Sequence, residues 1–279
     1  MIRDTFEAMG TTVAVHTLDG DADRVRLMFD RYERRFSRFL ADSELSRINA
    51  DPRPRVGVST DLADVLNTAA ELRERTAGLV DIGMGRAIGA WGYDATFSDI
   101  ADKAIAPDAQ NRPSWSIEGC TLRRGSDTAI DLGGIAKGWT CDRAVESGAA
   151  VIASAGGDMR SSDPSLVVEV MDSDDRIAAE VEVGIGALAT SSTTRRTWHV
   201  AGSKVHHIID PRTMSPATTP VRSATVVADT AAEAEAGAKA VLLMGVDGLA
   251  WAADQHWIRH AVAIWHDGSV FGTALRRAS

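Results

Sequence analysis

Apolar and polar residues alternate from Val13 to Thr17, the two-residue period of a half-buried strand. Val25, Met28, Phe29, Tyr32 and Phe36 then recur at helical spacing, so one face of a helix follows. Asp51-Pro52-Arg53-Pro54 breaks the chain. Leu62, Val65, Leu66, Ala69 and Leu72 predict a second amphipathic helix, starting near Thr60 or Asp61 and stopped at Gly78. Ala129 to Leu132 reads as a short strand turned by Gly133-Gly134, and Ala136 to Glu146 as a helix. Val151 to Ala153 is a buried strand ended by Gly156-Gly157-Asp158. Strands are expected at Leu166–Val170, Ile177–Val183, Thr197–Val200 and Val205–Ile209, with Gly202-Ser203 joining the last two as a hairpin. After a strand from Ser223 to Ala228, Thr230 caps an alanine-rich helix ending at Gly245. A short helix follows. Ala261–Trp265 and Ser269–Thr273 then pair around a His266-Asp267-Gly268 turn. Helices mixed with mostly antiparallel strands predict an α+β fold. No repeat or linker divides residues 1–279. The polar, poorly periodic stretch from Asp94 to Ser116 is either a lobe boundary or a surface excursion.

The formal charge of −9 argues against broad nucleic-acid or anionic-membrane binding. Any anionic ligand must therefore be held by local positive groups. The two cysteines, Cys120 and Cys141, form no CxxC pair and read as buried, reduced thiols, which fits the cytoplasm. No apolar run approaches the length of a membrane span, and Met1 to Glu7 lacks a signal peptide's apolar stretch. A cytoplasmic, soluble protein is the expectation.

Three glycine-bearing segments follow apolar strands: Asp131-Leu132-Gly133-Gly134-Ile135-Ala136-Lys137-Gly138, Ala155-Gly156-Gly157-Asp158, and Gly184-Ile185-Gly186-Ala187-Leu188-Ala189. Glycine lets backbone approach a ligand, and consecutive N–H groups can point at phosphate oxygens. The first segment also opens a helix, whose N-terminus favours anions, and Lys137 adds a charge there. The third matches G-x-G-x-x-A, but the residues from Thr190 to Arg196 do not read as the helix a dinucleotide-binding βαβ unit needs. A nicotinamide site of that kind is excluded. In Val205-His206-His207-Ile208-Ile209-Asp210-Pro211-Arg212-Thr213, a candidate base, a carboxylate and a cation cluster at a strand end.

Together these segments resemble the FAD:protein FMN transferases, the ApbE-like flavin transferase family. Met9-Gly10-Thr11-Thr12 is similar to its opening M-G-T turn, and Phe36 to Asn49 to its S-E-L-S-R-L-N segment. Trp91-Gly92-Tyr93 sits like its W-G-F, Asp131 to Gly138 like D-L-G-G-I-A-K-G, and Ala155 to Arg160 like A-G-G-D-I-R. Ala189-Thr190-Ser191 and His207 to Thr213 match A-T-S and H-I-I-D-P-R-T, all in family order. The resemblance implies a two-lobed α+β fold with mostly antiparallel sheets and FAD in the cleft between lobes. It implies a reaction in which a Thr or Ser hydroxyl of an acceptor protein attacks the FMN phosphorus and AMP leaves, with magnesium at the diphosphate. FAD and the acceptor protein are the implied partners. His207 and Asp210 would orient or deprotonate the hydroxyl. Met9, Gly10, Thr11, Tyr93, Asp131, Gly134, Lys137, Asp158, Thr190, Ser191, His207 and Arg212 would contact the cofactor.

The chain departs from the family at three places. The metal-binding T-A-x-E-A-D-A-x-x-T becomes Thr230 to Lys239, so Glu235 and Lys239 stand where the Asp and Thr ligands belong. A longer carboxylate can still reach a cation. A protonated ammonium has no lone pair to offer magnesium. F-D-P-T-x-G becomes Val80-Asp81-Ile82-Gly83-Met84-Gly85, and Met214 stands where glycine is common. Besides an active transferase, two other readings fit a changed metal site: a non-catalytic FAD carrier or regulator, and an FAD diphosphatase.

Overall fold

The computed structural model describes residues 1–95, 97, 100–102, 111–172 and 176–273. In chain order the elements begin with β1 (Ile2–Ala8), β2 (Thr11–Thr17), α1 (Asp23–Phe36), α2 (Glu44–Ala50), β3 (Arg55–Gly57), α3 (Thr60–Arg75) and α4 (Gly85–Ala90). The middle of the chain forms β4 (Trp115–Glu118), β5 (Thr121–Arg124), α5 (Ala136–Glu146), β6 (Ile152–Ala155), β7 (Asp158–Ser161), β8 (Val167–Met171), β9 (Ile177–Glu182) and β10 (Gly186–Ser192). Then come β11 (Thr197–Val200), β12 (Ser203–His206), β13 (Ile209–Asp210), β14 (Ser215–Pro216), β15 (Val221–Ala228), α6 (Ala231–Met244), α7 (Gly248–Asp254), β16 (Ile258–Trp265) and β17 (Val270–Gly272). The chain forms two compact units, one of residues 1–30, 137–192 and 219–279, the other of residues 31–136 and 193–218. The described part of the 94–116 stretch lies inside the second unit, so it is not a boundary; residues 96, 98, 99 and 103–110 lie outside the described residues.

The first unit is built on an eight-stranded sheet in the order β1-β2-β6-β7-β10-β15-β16-β17, antiparallel throughout. Two of its hairpins have two-residue loops that need positive φ. Met9 (φ 51°) and Gly10 (φ 67°) join β1 to β2, and Gly156 (φ 63°) and Gly157 (φ 107°) join β6 to β7. Alanine-rich α6 lies against β10, β15 and β16. Its Gly237 is required by that approach, because a Cβ there would stand 2.9 Å from Val226 Cγ1. Ala231–Asp254 is 24 residues and, by length and composition, apolar enough to cross a membrane, contrary to the expectation from the sequence. The run is interrupted at Gly245 (φ 64°), and α6 buries eleven of its residues, as a core helix does. The hairpin of β8 and β9 packs Val170 and Val181 with Leu188, Val227 and Ile264.

In the second unit, α3 buries Leu62, Val65, Leu66, Ala69 and Leu72 as its spacing predicts, with Ser59 as N-cap. A three-stranded sheet runs β3-β5-β4. A separate core gathers Met84, Ile88, Tyr93, Trp198, Val205, Ile209 and Met214.

Several expectations are corrected. Ala129 to Leu132 is not a strand: Asn49 serves this backbone instead, its amide donating to Ile130 O and accepting from Ile130 N, both at 2.8 Å. Asp131 N donates to Ile82 O at 2.7 Å. The expected Val205–Ile209 strand is broken, because Ile208 N turns to His206 Nδ1 at 3.3 Å, and His207 stands in the break. Most of the third glycine segment is β10 itself, consistent with the absence of a following helix. Cys141 is buried as expected, but Cys120 is exposed on the β4–β5 turn.

Candidate functional site

The first unit brings four predicted side chains together. Lys137, in the first turn of α5, reaches Asp158 Oδ2 at 3.4 Å and Glu235 Oε1 at 3.8 Å. Asp158 opens β7 directly after the glycine turn, and Glu235 lies on α6. Lys239, one helical turn beyond Glu235, donates to Glu235 Oε1 at 2.8 Å. The four side chains are between 5% and 18% exposed, so two carboxylates and two ammonium groups share a nearly dry site. Burial, followed by the charge of Glu235, pushes the Asp158 carboxyl up, while Lys137 and Lys239 oppose the shift. A Cβ on Gly156 would lie 3.1 Å from Thr11 Oγ1 and 3.2 Å from Lys137 Cε, so the Met9-Gly10-Thr11 turn and the lysine both close on that glycine. Thr190 is exposed on β10, its hydroxyl 2.9 Å from that of Thr225 and its N–H donating to Gly157 O at 3.2 Å. Ser191, its neighbour on the strand, is buried.

Two close approaches position this cluster. Gly138 follows Lys137, and a Cβ there would meet Ala231 O at 3.0 Å, so glycine lets α5 approach the start of α6. Asp142, on the next turn of α5, accepts hydrogen bonds from Ala231 N at 2.7 Å and Ala232 N at 3.1 Å. Thr230 and Glu233 complete a capping box on the same end. Burial raises the Asp142 carboxyl to about 7, against those two bonds and against Arg160, whose Nε lies 3.8 Å away. Asp142, Arg160 and Thr225 were missed as positioning residues; buried Asp142 has no sequence signal, because it reads as an exposed helix residue. Cys141 lies among these groups, and burial, then Asp158 and Asp142, push its thiol well above the ordinary value.

The second unit holds the remaining predicted residues in two groups. Asp131 pairs with Arg38 at 2.8 Å and accepts Gly133 N at 2.7 Å, so that N–H is directed at its own loop and not outward at a phosphate. Gly134 follows in the turn. Arg38 Nη2 also donates to Tyr93 O at 2.6 Å, and its guanidinium lies 4.1 Å from the Phe39 ring and 5.0 Å from the Tyr93 ring. Tyr93 is packed by Trp198 at 5.8 Å and Phe39 at 5.6 Å, and its hydroxyl accepts from Arg196 Nη1 at 3.3 Å. Arg38 and Phe39 lie in a segment the resemblance covers, yet the motif alone assigns them no part.

His207 is half-buried with its Nδ1 shielded from solvent. Its neighbour His206 is held differently, with Nε2 3.0 Å from Ala217 O. Asp210 is buried and receives Arg212 through its backbone N–H at 2.8 Å and its side chain at 2.7 to 3.1 Å. Burial alone would raise this carboxyl; the hydrogen bonds and charge of Arg212 outweigh it and hold Asp210 below the ordinary range. A carboxylate so stabilised is a poor proton acceptor, so Asp210 organises the loop and His207 is the stronger candidate for a base. Arg212 is accordingly committed to Asp210. Met214, at the position where glycine is common, adopts φ 59° and donates to Asp210 O at 2.8 Å, so the loop keeps a glycine-like conformation with a buried side chain. Asp81, from the other altered segment, is taken by Arg73 at 3.0 Å and Trp115 Nε1 at 2.7 Å.

The magnesium expectation is not met by these residues. Glu235 Oε1 already receives Lys239, with Lys137 also within 4 Å. Magnesium demands near-octahedral oxygen donors at about 2.0–2.1 Å. Among the described residues no group of three or more His, Cys, Asp or Glu is arranged to hold a metal. Glu235 is therefore an ammonium acceptor in this structure.

The model of the ApbE family matches residues 9–262. The FAD:protein FMN transferase of Rhodobacter capsulatus is 28% identical over 99% of this chain, which spans only 58% of that protein's length. That of Vibrio cholerae is 28% identical over 82% of this chain and 74% of its own. Among solved structures, the ApbE protein of Thermotoga maritima superposes with a TM-score of 0.85 at 25% identity, covering 97% of this chain and 96% of that one. The flavin transferase ApbE of Vibrio cholerae superposes at 0.79 and 24% identity, a likeness of fold, over 98% and 96%. With the family's motif segments carrying Asp131, Lys137, Asp158 and His207 in order, and the family model matching most of its length, this chain belongs to the ApbE family.

Proposed function

We propose that this protein is an FAD:protein FMN transferase: it takes FAD as substrate, moves FMN onto a Thr or Ser hydroxyl of an acceptor protein and releases AMP. The observation that carries the reading is the convergence of Lys137 and Asp158 with the Met9-Gly10-Thr11 turn around Gly156, within a chain of this family. Glycine turns admit a ligand close to the backbone, and a buried ammonium supplies local positive charge that the overall field of a protein with a net charge of −9 does not. In the proposed step the acceptor oxygen bonds to the FMN phosphorus. The bond from that phosphorus to the bridging oxygen breaks, and AMP leaves with its electron pair. The acceptor proton passes to a base, for which His207 is the candidate, being imidazole in a half-buried position. Lys137 offsets charge gathering on the diphosphate oxygens, as phosphoryl-type transfer requires. A cytoplasmic location belongs to the same proposal, on the strength of the reduced-thiol composition.

The test is FAD turnover by the purified protein beside a Thr-bearing acceptor peptide, following AMP and covalent FMN. AMP together with flavinylated peptide is the expected result. AMP without labelled peptide would favour hydrolysis of FAD, and FAD binding with no AMP in any condition would favour a flavin carrier.

A further inference from the structure

We infer that the ammonium groups of Lys137 and Lys239 occupy the place a divalent cation would need beside Glu235, so that this chain engages a diphosphate with fixed side-chain cations. The diphosphate part rests on the function proposed above; the cation part stands on the first unit alone. The Glu235 carboxylate is the one side-chain oxygen ligand left at this position, and its Oε1 receives Lys239 at 2.8 Å with Lys137 at 3.8 Å. Asp158, the second carboxylate of the cluster, is engaged by Lys137 at 3.4 Å. A dication entering here would meet two like charges at close range in a buried site, where solvent screens such repulsion poorly, and the two carboxylates that would attract it are already paired with those ammonium groups.

The spacing makes the arrangement durable. Glu235 and Lys239 are one turn apart on a helix whose start is fixed by Thr230, Glu233 and Asp142, in the order that favours an ion pair. Lys137 comes from a different helix and is held by the close approach of Gly138 to Ala231. Both ammonium groups therefore stay in place without any ion being taken up. Ammonium groups donate to phosphate oxygens as a point charge does, with less charge and no coordination geometry. FAD engagement by this chain should then be indifferent to chelators.

The experiment uses the full chain, freed of metal, in two measurements. The first is Mn2+ titration followed by the paramagnetic resonance of free Mn2+. The wild type should show no saturable binding below millimolar concentration. Lys239→Thr should gain a single site, and adding Glu235→Gln should remove it. The second is FAD binding followed by flavin fluorescence. Exchanging EDTA for Mg2+ should leave the wild-type Kd unchanged, whereas Lys239→Thr in EDTA should bind about tenfold more weakly or worse and recover with Mg2+. Saturable Mn2+ binding by the wild type that Glu235→Gln abolishes would overturn the inference. So would chelator-sensitive FAD binding by the wild type, or a Lys239→Thr variant that binds FAD normally in EDTA. Absence of FAD binding by the wild type under both conditions would instead overturn the proposed function and the diphosphate part, leaving the Mn2+ titration to decide the cation part. If Lys239→Thr fails to fold by circular dichroism, the wild-type measurements decide.

Discussion

Replacing Asp142 by Ala should destabilise the first unit far more than loss of an ordinary helix cap. The Asp142 carboxyl group takes two N–H groups at the buried start of α6, at 2.7 and 3.1 Å, and stands opposite Arg160 at 3.8 Å. Alanine leaves both donors without that acceptor, and a buried unsatisfied donor costs about 1–3 kcal/mol. Thr230 and Glu233 remain, so the first turn keeps its capping box. Removing a buried carboxyl also relieves its desolvation, which pulls the sum towards the lower half of the range. The expected loss is about 3 kcal/mol, against about 1 kcal/mol for a typical cap deletion. For a chain of this size that corresponds to roughly 6–12 °C in Tm. Thermal and urea unfolding by circular dichroism at pH 6 measure it, and amide exchange at Ala231 and Ala232 should accelerate with it. A loss no larger than that of Thr230→Ala would refute the assignment of Asp142 as the second anchor of α6.

Three further outcomes are expected. Because burial raises the Asp142 carboxyl from its ordinary value of 3.8 to about 7, its folded form binds a proton more tightly than its unfolded form. The associated stability is complete below about pH 4 and lost as pH rises through about 7, so wild-type stability relative to Asp142→Asn should fall by about 2–3 kcal/mol from pH 5 to pH 8; a pH-independent difference in urea unfolding would refute this. The charges facing the group are Arg160 and, on its own helix, Glu146. Gly156→Ala places a Cβ 3.1 Å from Thr11 Oγ1 and 3.2 Å from Lys137 Cε at φ 63°, so it should cost about 1–2 kcal/mol of stability and weaken FAD binding by displacing Lys137; FAD affinity equal to wild type would sever the turn from the ligand. His207→Ala should abolish FMN transfer in the peptide assay while leaving FAD Kd within severalfold, and full activity would remove His207 from the mechanism.

Elements with a clean period were legible in the sequence. α1, α3 and α5 lie where their apolar spacing or glycine punctuation places them, and Thr230 caps α6. What failed was backbone served by a side chain: Asn49 stands in for a strand beside Ile130, and His206 breaks the strand before His207. Neither leaves a periodic trace, because the partner is distant or is the same residue that the pattern assigns to the strand. The site was legible as motifs, segment by segment. Which groups meet was not: the pairing of Asp210 with Arg212 follows from a tight loop, and the meeting of Lys137, Asp158 and Glu235 depends on two helices approaching at Gly138. Lys239 was visible as a departure in the sequence, but only its 2.8 Å contact shows what it does to Glu235.

The two thiols differ in a way that makes the molecule its own reporter. Cys120 is exposed, whereas Cys141 is fully buried among carboxylates that disfavour its thiolate. An alkylating dye should therefore attach once to the native protein and a second time only when α5 separates from its surroundings. The rate of that second attachment times the opening of the interior that holds Lys137 and Asp142, without any introduced probe.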